Sequence, residues 1–284
     1  MNDTPPSVQQ AAAAAGTITL GGDLRVNRLG YGAMRLTGPG IWGEPKDRDG
    51  ARRVLRRALE LGVNFIDTAD AYGPNVNESL IAETLHPYPP GLVIATKGGL
   101  VRPGPDQWER DGRPANLRQA CEASLKRLRV ERIDLYQYHA PDSRVRIEDS
   151  VGELAKLQRE GKIRHIGVSN FSVAELERVA GIAKIVSVQN RYNISDRRSD
   201  DVIAYCEQRQ MAFIPWYPLA AGEHAGSSSG SRELERIAQQ HKLTVAQAAL
   251  AWLLARSPVM LPIPGTSSVT HLEENVAAAG VTLA

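Results

Sequence analysis

Residues 64 to 99 read NFIDTADAYGPNVNESLIAETLHPYPPGLVIATKGG. Two short, almost wholly apolar runs, Asn64 to Asp67 and Leu92 to Thr96, flank an amphipathic segment near 75 to 85. A strand that is apolar on both faces belongs in a sheet covered on both sides, which is the habit of parallel sheets clothed in helices. The same pattern recurs in both directions. Further strand-like runs fall near Arg28 to Ala33, Ile133 to His139, Ile163 to Ser169, Ile185 to Gln189, Ala212 to Trp216 and Val259 to Pro262, with helical segments near 48 to 61, 115 to 128, 148 to 159, 172 to 182, 199 to 209 and 231 to 255. Eight strands alternating with helices favour an α/β fold closed into a single (β/α)8 TIM barrel, and 284 residues suit one such domain. Before the barrel, Thr17 to Leu20 and Leu24 to Val26 flank Gly21-Gly22, a step suited to a tight hairpin turn. Residues 1 to 16 are expected as a disordered arm, and 17 to 284 as the barrel. The longest intervals carry Pro103-Gly104-Pro105 and the Gly226 to Gly230 cluster, expected as mobile loops at the ligand end.

Composition narrows the function classes. A formal net charge of +2 offers no field for nucleic acid or an anionic membrane. The one basic run, Arg52, Arg53, Arg56 and Arg57, alternates with Val54, Leu55, Ala58 and Leu59 at helical spacing and reads as a solvated helix face. Cys121 and Cys206 lie far apart without zinc-type spacing, so neither a disulfide framework nor a metal site is indicated. The first residues lack a basic region and a long apolar core, and no stretch approaches a membrane span, so a cytoplasmic location is expected. No obligate protein partner is evident.

In such a barrel the active site lies at the carboxyl ends of the strands. The second strand ends in IDTADAYG, giving Asp67 and then Tyr72; the third ends in ATKGG, giving Lys97; the fourth ends in DLYQYHAPD, giving His139. A tyrosine with a pKa of about 10 is a poor acid near neutrality, and a neighbouring ammonium is expected to lower it. Asp67 can supply the anion that a buried lysine needs. His139 can donate to a carbonyl oxygen in a bond that strengthens as the oxygen becomes an alkoxide. Together the four suit carbonyl reduction.

HIGVSNF at 165 to 171 ends the fifth strand with Ser169 and Asn170, and VQNRYN at 188 to 193 follows the sixth with Gln189. Such side chains can fix a carboxamide plane, while Trp216 in PWYPL, followed by Pro218 and Leu219, can stack a ring. After the eighth strand, Gly265, Thr266, Ser267 and Ser268 precede a helix and form a nest suited to phosphate; a simple serine cap is the plainer reading.

These motifs, in order from RLGYGAM to the final EEN, resemble those of the aldo-keto reductase family over nearly the whole chain. The resemblance implies that Tyr72 is the general acid, that Lys97 and Asp67 tune it, and that His139 orients the substrate carbonyl. It implies that Ser169, Asn170 and Gln189 hold a nicotinamide carboxamide and Trp216 stacks on the ring, with Pro218, Leu219, Gly265 and Thr266 alongside. Ser267, His271, Glu274 and Asn275 match positions that hold the adenosine end. The expected cofactor is NADPH, with NADH possible, and the expected substrate is a small aldehyde or ketone. The family binds its dinucleotide without a Rossmann fold; here Gly30 and Gly32 are followed by Arg35, so G-x-G-x-x-G is not completed.

Gly265 and His271 stand where many NADPH-dependent members carry lysine and arginine, which predicts a weaker preference for NADPH. The chain ends at Ala284, where the family usually continues, so either a shortened form or a pocket open on that side is expected. GYGAMRLTGPGIWG and IPGTSSVTHLEEN look most like the bacterial subgroup that includes pyridoxal reductases. Met34, Trp42 and Trp108 are candidate pocket walls. Two other readings stay open. A non-catalytic nucleotide-sensing or regulatory subunit, as in the potassium-channel beta subunits that resemble this family, keeps much of the same site. A phosphate-sugar isomerase barrel leaves Ser169, Asn170 and Gln189 unexplained.

Overall fold

The computed structural model describes residues 8–219 and 229–283. β1 (Thr17–Leu20) and β2 (Leu24–Asn27) pair as the expected antiparallel hairpin. The barrel elements follow as β3 (Tyr31–Gly32), α1 (Arg48–Glu60), β4 (Phe65–Asp67), α2 (Val76–Leu85) and β5 (Val93–Gly98). A small hairpin of β6 (Leu100–Val101) and β7 (Glu109–Arg110) interrupts before α3 (Pro114–Leu128), β8 (Ile133–Tyr138) and α4 (Ile147–Arg159). Then come β9 (Ile163–Ser169), α5 (Val173–Val179), β10 (Ile185–Arg191), α6 (Asp200–Arg209), β11 (Ala212–Trp216), α7 (Ser229–His241), α8 (Val245–Arg256) and α9 (Val269–Ala277).

β3, β4, β5, β8, β9, β10 and β11 pair in that order, each parallel to the next. The eighth expected strand closes the ring without becoming regular. On one side Phe213 N donates to Val259 O and Leu261 N to Phe213 O, both at 2.9 Å. On the other, Gly30 N donates to Pro262 O at 3.0 Å and Gly32 N to Pro264 O at 3.4 Å. Pro262 and Pro264 have no N–H to give back, so this seam takes hydrogen bonds in one direction only. The backbones also approach closely: a Cβ on Gly32 would lie 2.7 Å from Ile263 O, and one on Gly265 would lie 2.7 Å from Gly32 O. The glycine-rich first strand therefore serves barrel closure, and its regular part is shorter than Arg28 to Ala33.

Strand parity divides the core. Phe65, Val93, Ala95, Leu135, Ile214, Leu261 and Ile263 face inward, where Leu20, Leu24 and Val26 of the hairpin join them and plug one end. Ile66, Ile94, Tyr136, Val168, Val188 and Phe213 face outward into the layer between sheet and helices. In α1, Ala51, Val54, Leu55 and Ala58 are buried while Arg48, Arg52, Arg53 and Arg57 form surface ion pairs, Arg57 with Glu273 of α9 at 2.7 Å.

Two expectations are corrected. Val8–Ala15, expected within a disordered arm, forms a 3-10 helix, with Ala12 fully buried and its N–H donating to Leu61 O at 3.0 Å. The helix expected over 231 to 255 is two: Lys242 turns with φ +55°, and Thr244 caps α8 in a reciprocal box with Gln247. Most of the expected Gly226 to Gly230 loop lies outside the described residues. Among the described residues no helix is long and apolar enough to cross a membrane.

Candidate active site

Inward parity, continued to the strand ends, delivers the site. Phe65 gives Asp67; Val93 and Ala95 give Lys97; Leu135 gives Gln137 and then His139; Ile214 gives Trp216. The parallel ladder sets Lys97 beside Gln137 and Ser169 beside Gln189. Lys97, fully buried, donates to Asp67 Oδ1 at 2.5 Å, to Thr68 O at 2.9 Å and to Tyr72 Oη at 3.2 Å, which uses all three ammonium protons. Asp67 Oδ2 accepts from Gln137 Nε2 at 3.0 Å and from Gln189 Nε2 at 2.9 Å. The carboxylate thus balances the lysine and is itself satisfied across the barrel from β8 and β10.

Burial acts first on each ionisable group. It raises the Tyr72 hydroxyl above its ordinary range, and the Lys97 charge pulls in the opposite direction without cancelling it. The expected lowering is therefore present only as an opposing contribution, because desolvation of a phenolate outweighs one shared ammonium. Burial alone would lower Lys97, but Asp67 and Tyr72 reverse this and hold it charged above the usual lysine value. Burial, with Lys97 adding to it, holds His139 well below its ordinary value and therefore neutral. The His139 ring stands edge-on to Tyr72, centroids 5.9 Å apart, and its Nδ1 is buried without a hydrogen-bond partner. Asp70, pushed up to about 8 by burial and then by Glu78, also keeps a buried oxygen without a partner.

A cavity of about 380 Å³ opens above this floor. Of the expected residues, Met34, Asp67, Tyr72, Trp108, His139, Ser169, Asn170, Gln189, Trp216, Pro218, Leu219 and Gly265 line it. Lys97 lies behind Tyr72 rather than in the wall. Asn170, held at φ +61°, donates to His139 O at 3.0 Å and Ser169 Oγ at 3.1 Å, and accepts from Trp216 Nε1 at 3.1 Å. That chain of bonds ties the ends of β8, β9 and β11 together and fixes the indole. Thr266, Ser267, His271, Glu274 and Asn275 are not in this wall. Ser267 lines an adjoining cavity with Arg35 and Lys46, His271 is exposed, and Asn275 is buried in α9.

Trp42, expected as a wall, is not among the lining residues; its ring lies 5.9 Å from the Arg102 guanidinium instead. Residue-by-residue reading missed Gln137, though it sits two before His139 and so shares its face. It also missed Asn77, which accepts from Thr68 Oγ1 at 2.7 Å and donates to Ala33 O at 2.8 Å, bracing the loop below Tyr72.

The aldo/keto reductase family pattern matches residues 28–284. The chain belongs to the aldo/keto reductase family. It is 50% identical over 283 residues, all of this chain and 91% of its relative, to an uncharacterised oxidoreductase of Schizosaccharomyces pombe. It is 43% identical to pyridoxine 4-dehydrogenase of Escherichia coli, over 93% of each chain. A Klebsiella pneumoniae aldo-keto reductase solved in complex with NADPH superposes with a TM-score of 0.77 at 26% identity, covering 94% of this chain and 90% of that one. As an aldo-keto reductase this protein is an oxidoreductase that interconverts carbonyls and alcohols.

Proposed function

We propose that this protein reduces the carbonyl of an aromatic aldehyde, pyridoxal or a compound like it, to the alcohol with NADPH as cofactor. The observation that carries the reading is the buried Asp67, Lys97 and Tyr72 triad under a largely apolar cavity walled by Trp108, His139 and Trp216. The 43% identity to Escherichia coli pyridoxine 4-dehydrogenase supports the substrate class, and the Klebsiella enzyme's NADPH complex supports the cofactor.

The donor set fits a nicotinamide dinucleotide. Gln189 gives its Nε2 protons to Asp67 and Gln137, which leaves Oε1 toward the cavity as an acceptor for a carboxamide NH2. Ser169 and Asn170 would hold the other side, Trp216 would carry the ring, Pro218, Leu219 and Gly265 would line the approach, and Thr266, Ser267, His271, Glu274 and Asn275 would meet the adenosine end. When bound, the cofactor supplies the hydride that reduces the carbonyl carbon.

The chain's own residues do the rest. Neutral His139 donates a hydrogen bond to the carbonyl oxygen and fixes its direction. Tyr72, protonated at neutral pH, delivers the proton to the developing alkoxide. Lys97 stabilises the phenolate left behind, and Asp67, held by Gln137 and Gln189, keeps Lys97 aimed and charged. Trp108 and Met34 exclude water from one side of the carbonyl.

The deciding experiment follows NADPH and NADH absorbance with purified protein against pyridoxal, a nitro-substituted benzaldehyde and a dicarbonyl. Turnover of the aromatic aldehydes is the expected result. Absence of turnover with all three, in a folded protein that binds NADPH, would overturn the reading in favour of a nucleotide sensor.

A further inference from the structure

Arg102 follows β6 and forms no ion pair among the described residues; its five N–H donors all end on main-chain oxygens. Nε donates to Gln107 O at 2.7 Å, Nη1 to Ile41 O at 2.9 Å and Ala71 O at 3.1 Å, and Nη2 to Gly40 O at 2.7 Å and Gly104 O at 3.4 Å. These carbonyls come from three separate loops: the one after β3, the one after β4 that carries Tyr72, and the turn between β6 and β7. The guanidinium carbon also lies 3.7 Å from the Trp108 ring centroid. Burial lowers the affinity of this group for its proton, with Asp106 acting against that, so the charge is partly withdrawn from water.

The fastened backbone would not hold its shape unaided. Ile41 is β-branched, yet it adopts φ +54°, next to Gly40 at φ +67°. Such a conformation persists only where the surroundings over-determine it. Here Gly73 N donates to Ile41 O at 3.2 Å and Asp106 N to Gly40 O at 3.0 Å, beside the two bonds from Arg102. The result is one rigid rim. Ala71, whose carbonyl Arg102 holds, directly precedes Tyr72, and Trp108 meets the Tyr72 ring edge-on with centroids 6.4 Å apart.

We propose that Arg102 is the positioning residue of the substrate wall: it locks the Trp108 indole against Tyr72 and fixes the peptide before Tyr72, so that an aromatic carbonyl compound is held in line with the Tyr72 hydroxyl. The proposal rests on the carbonyl-reductase reading given above. It requires both the planar fork and the face of a guanidinium, because an ammonium cannot reach carbonyls in three loops and lie flat on an indole at once.

The test compares wild type, Arg102→Lys, Arg102→Met and Trp108→Ala, with NADPH affinity from fluorescence titration, melting temperature, and kcat and KM for a nitro-substituted benzaldehyde and for a small aliphatic aldehyde. Both Arg102 variants should bind NADPH within about twofold of wild type and raise KM for the aromatic aldehyde by about tenfold or more, with a smaller rise for the aliphatic one. Acrylamide quenching of tryptophan emission should increase in the Arg102 variants and lose that increase when Trp108→Phe is added. Trp108→Ala should reproduce the KM change, and adding Arg102→Lys to it should cost little more.

A wild-type aromatic KM in Arg102→Lys overturns the proposal, as does a loss of NADPH affinity in step with kcat at unchanged KM. Should neither Arg102 variant fold, an unchanged aromatic KM in Trp108→Ala overturns it. The quenching comparison needs no turnover, so it still judges Arg102 if the reductase reading itself fails.

Discussion

Lys97 Nζ lies 2.5 Å from Asp67 Oδ1, with the lysine side chain fully buried and that of the aspartate nearly so. Such a pair stabilises only while both members are present, because either one alone is a desolvated charge. Asp67→Asn should lower the unfolding free energy by about 3–5 kcal/mol. Urea denaturation reads the loss, and it should be accompanied by a severe fall in reduction rate. An Asp67→Asn protein as stable as wild type would show that the charge balance lies elsewhere.

Tyr72→Phe removes one oxygen and keeps the ring that meets Trp108 and His139. NADPH affinity should survive while the reduction rate falls by about 10²- to 10⁴-fold, the range for loss of a general acid. Lys97→Met should also cut the rate severely, and the two losses should not add, since in the proposed mechanism both remove one proton-donating unit. Single-turnover rates at saturating cofactor make the comparison.

The pH dependence follows from the directions at Tyr72 and His139. Tyr72 is raised, chiefly by burial, so its acid form persists through neutrality; reduction should be level there and decline only in the alkaline range. Alcohol oxidation, which needs the phenolate as base, should climb over the same range. His139 is lowered by burial, so the folded protein binds fewer protons there than the unfolded chain once the pH falls below the ordinary value of 6.5. Its contribution to stability is therefore complete above that pH and is lost as the pH falls toward the folded-state value. His139→Gln should flatten stability against pH on the acid side, as chemical denaturation across that range would reveal.

Asp70 runs the other way. Its folded value is raised to about 8 by burial and by Glu78, so folding favours its protonated form. It opposes folding increasingly as pH rises from the ordinary carboxylate range through that value. Asp70→Asn keeps the shape without the charge and should raise the unfolding free energy more at pH 8 than at pH 5, by a difference on the order of a few kcal/mol. Equal effects at both pH values would mean that the carboxyl group stays ionised in the fold.

Gly32→Ala and Gly265→Ala each place a methyl group 2.7 Å from a main-chain oxygen across the closing seam. Neither oxygen can rotate away, so each substitution should cost about 1–3 kcal/mol, the usual penalty for overpacking. Thermal melts give the measurement. Gly152→Ala on α4, where a Cβ meets nothing within 4 Å, serves as the control that should be neutral or mildly stabilising.

Strand parity made much of this legible in the sequence. Once Phe65, Val93, Leu135 and Ile214 face inward, Asp67, Lys97, His139 and Trp216 must meet at one end. The same rule pointed to Gln137, which went unread because an amide inside a strand carries no chemical flag until its partner Asp67 is in view. Arg102 was illegible for a different reason: its partners are carbonyls, which every residue has, so no residue type announces them. The sign at Tyr72 was misjudged because the sequence displays the neighbouring lysine but not the depth of burial. The short helix at Val8–Ala15 was missed because a run of alanine has no apolar stripe, and only contact with the turn after α1 gives Ala12 a place.

A closed cylinder is usually credited with having no edge, but this one keeps a faint one where Pro262 and Pro264 face β3. The joints from β3 round to β11 carry ladders, whereas here the Gly30 and Gly32 amides are joined, among the described residues, by side-chain bonds such as those from Arg28 Nε to Met260 O and from Tyr31 Oη to Thr266 O. Deuterium should therefore reach those two amides before the inner strands take it up, and the wall should part there first when the protein is warmed or pulled. That split would run beside Gly265 and down into the cavity.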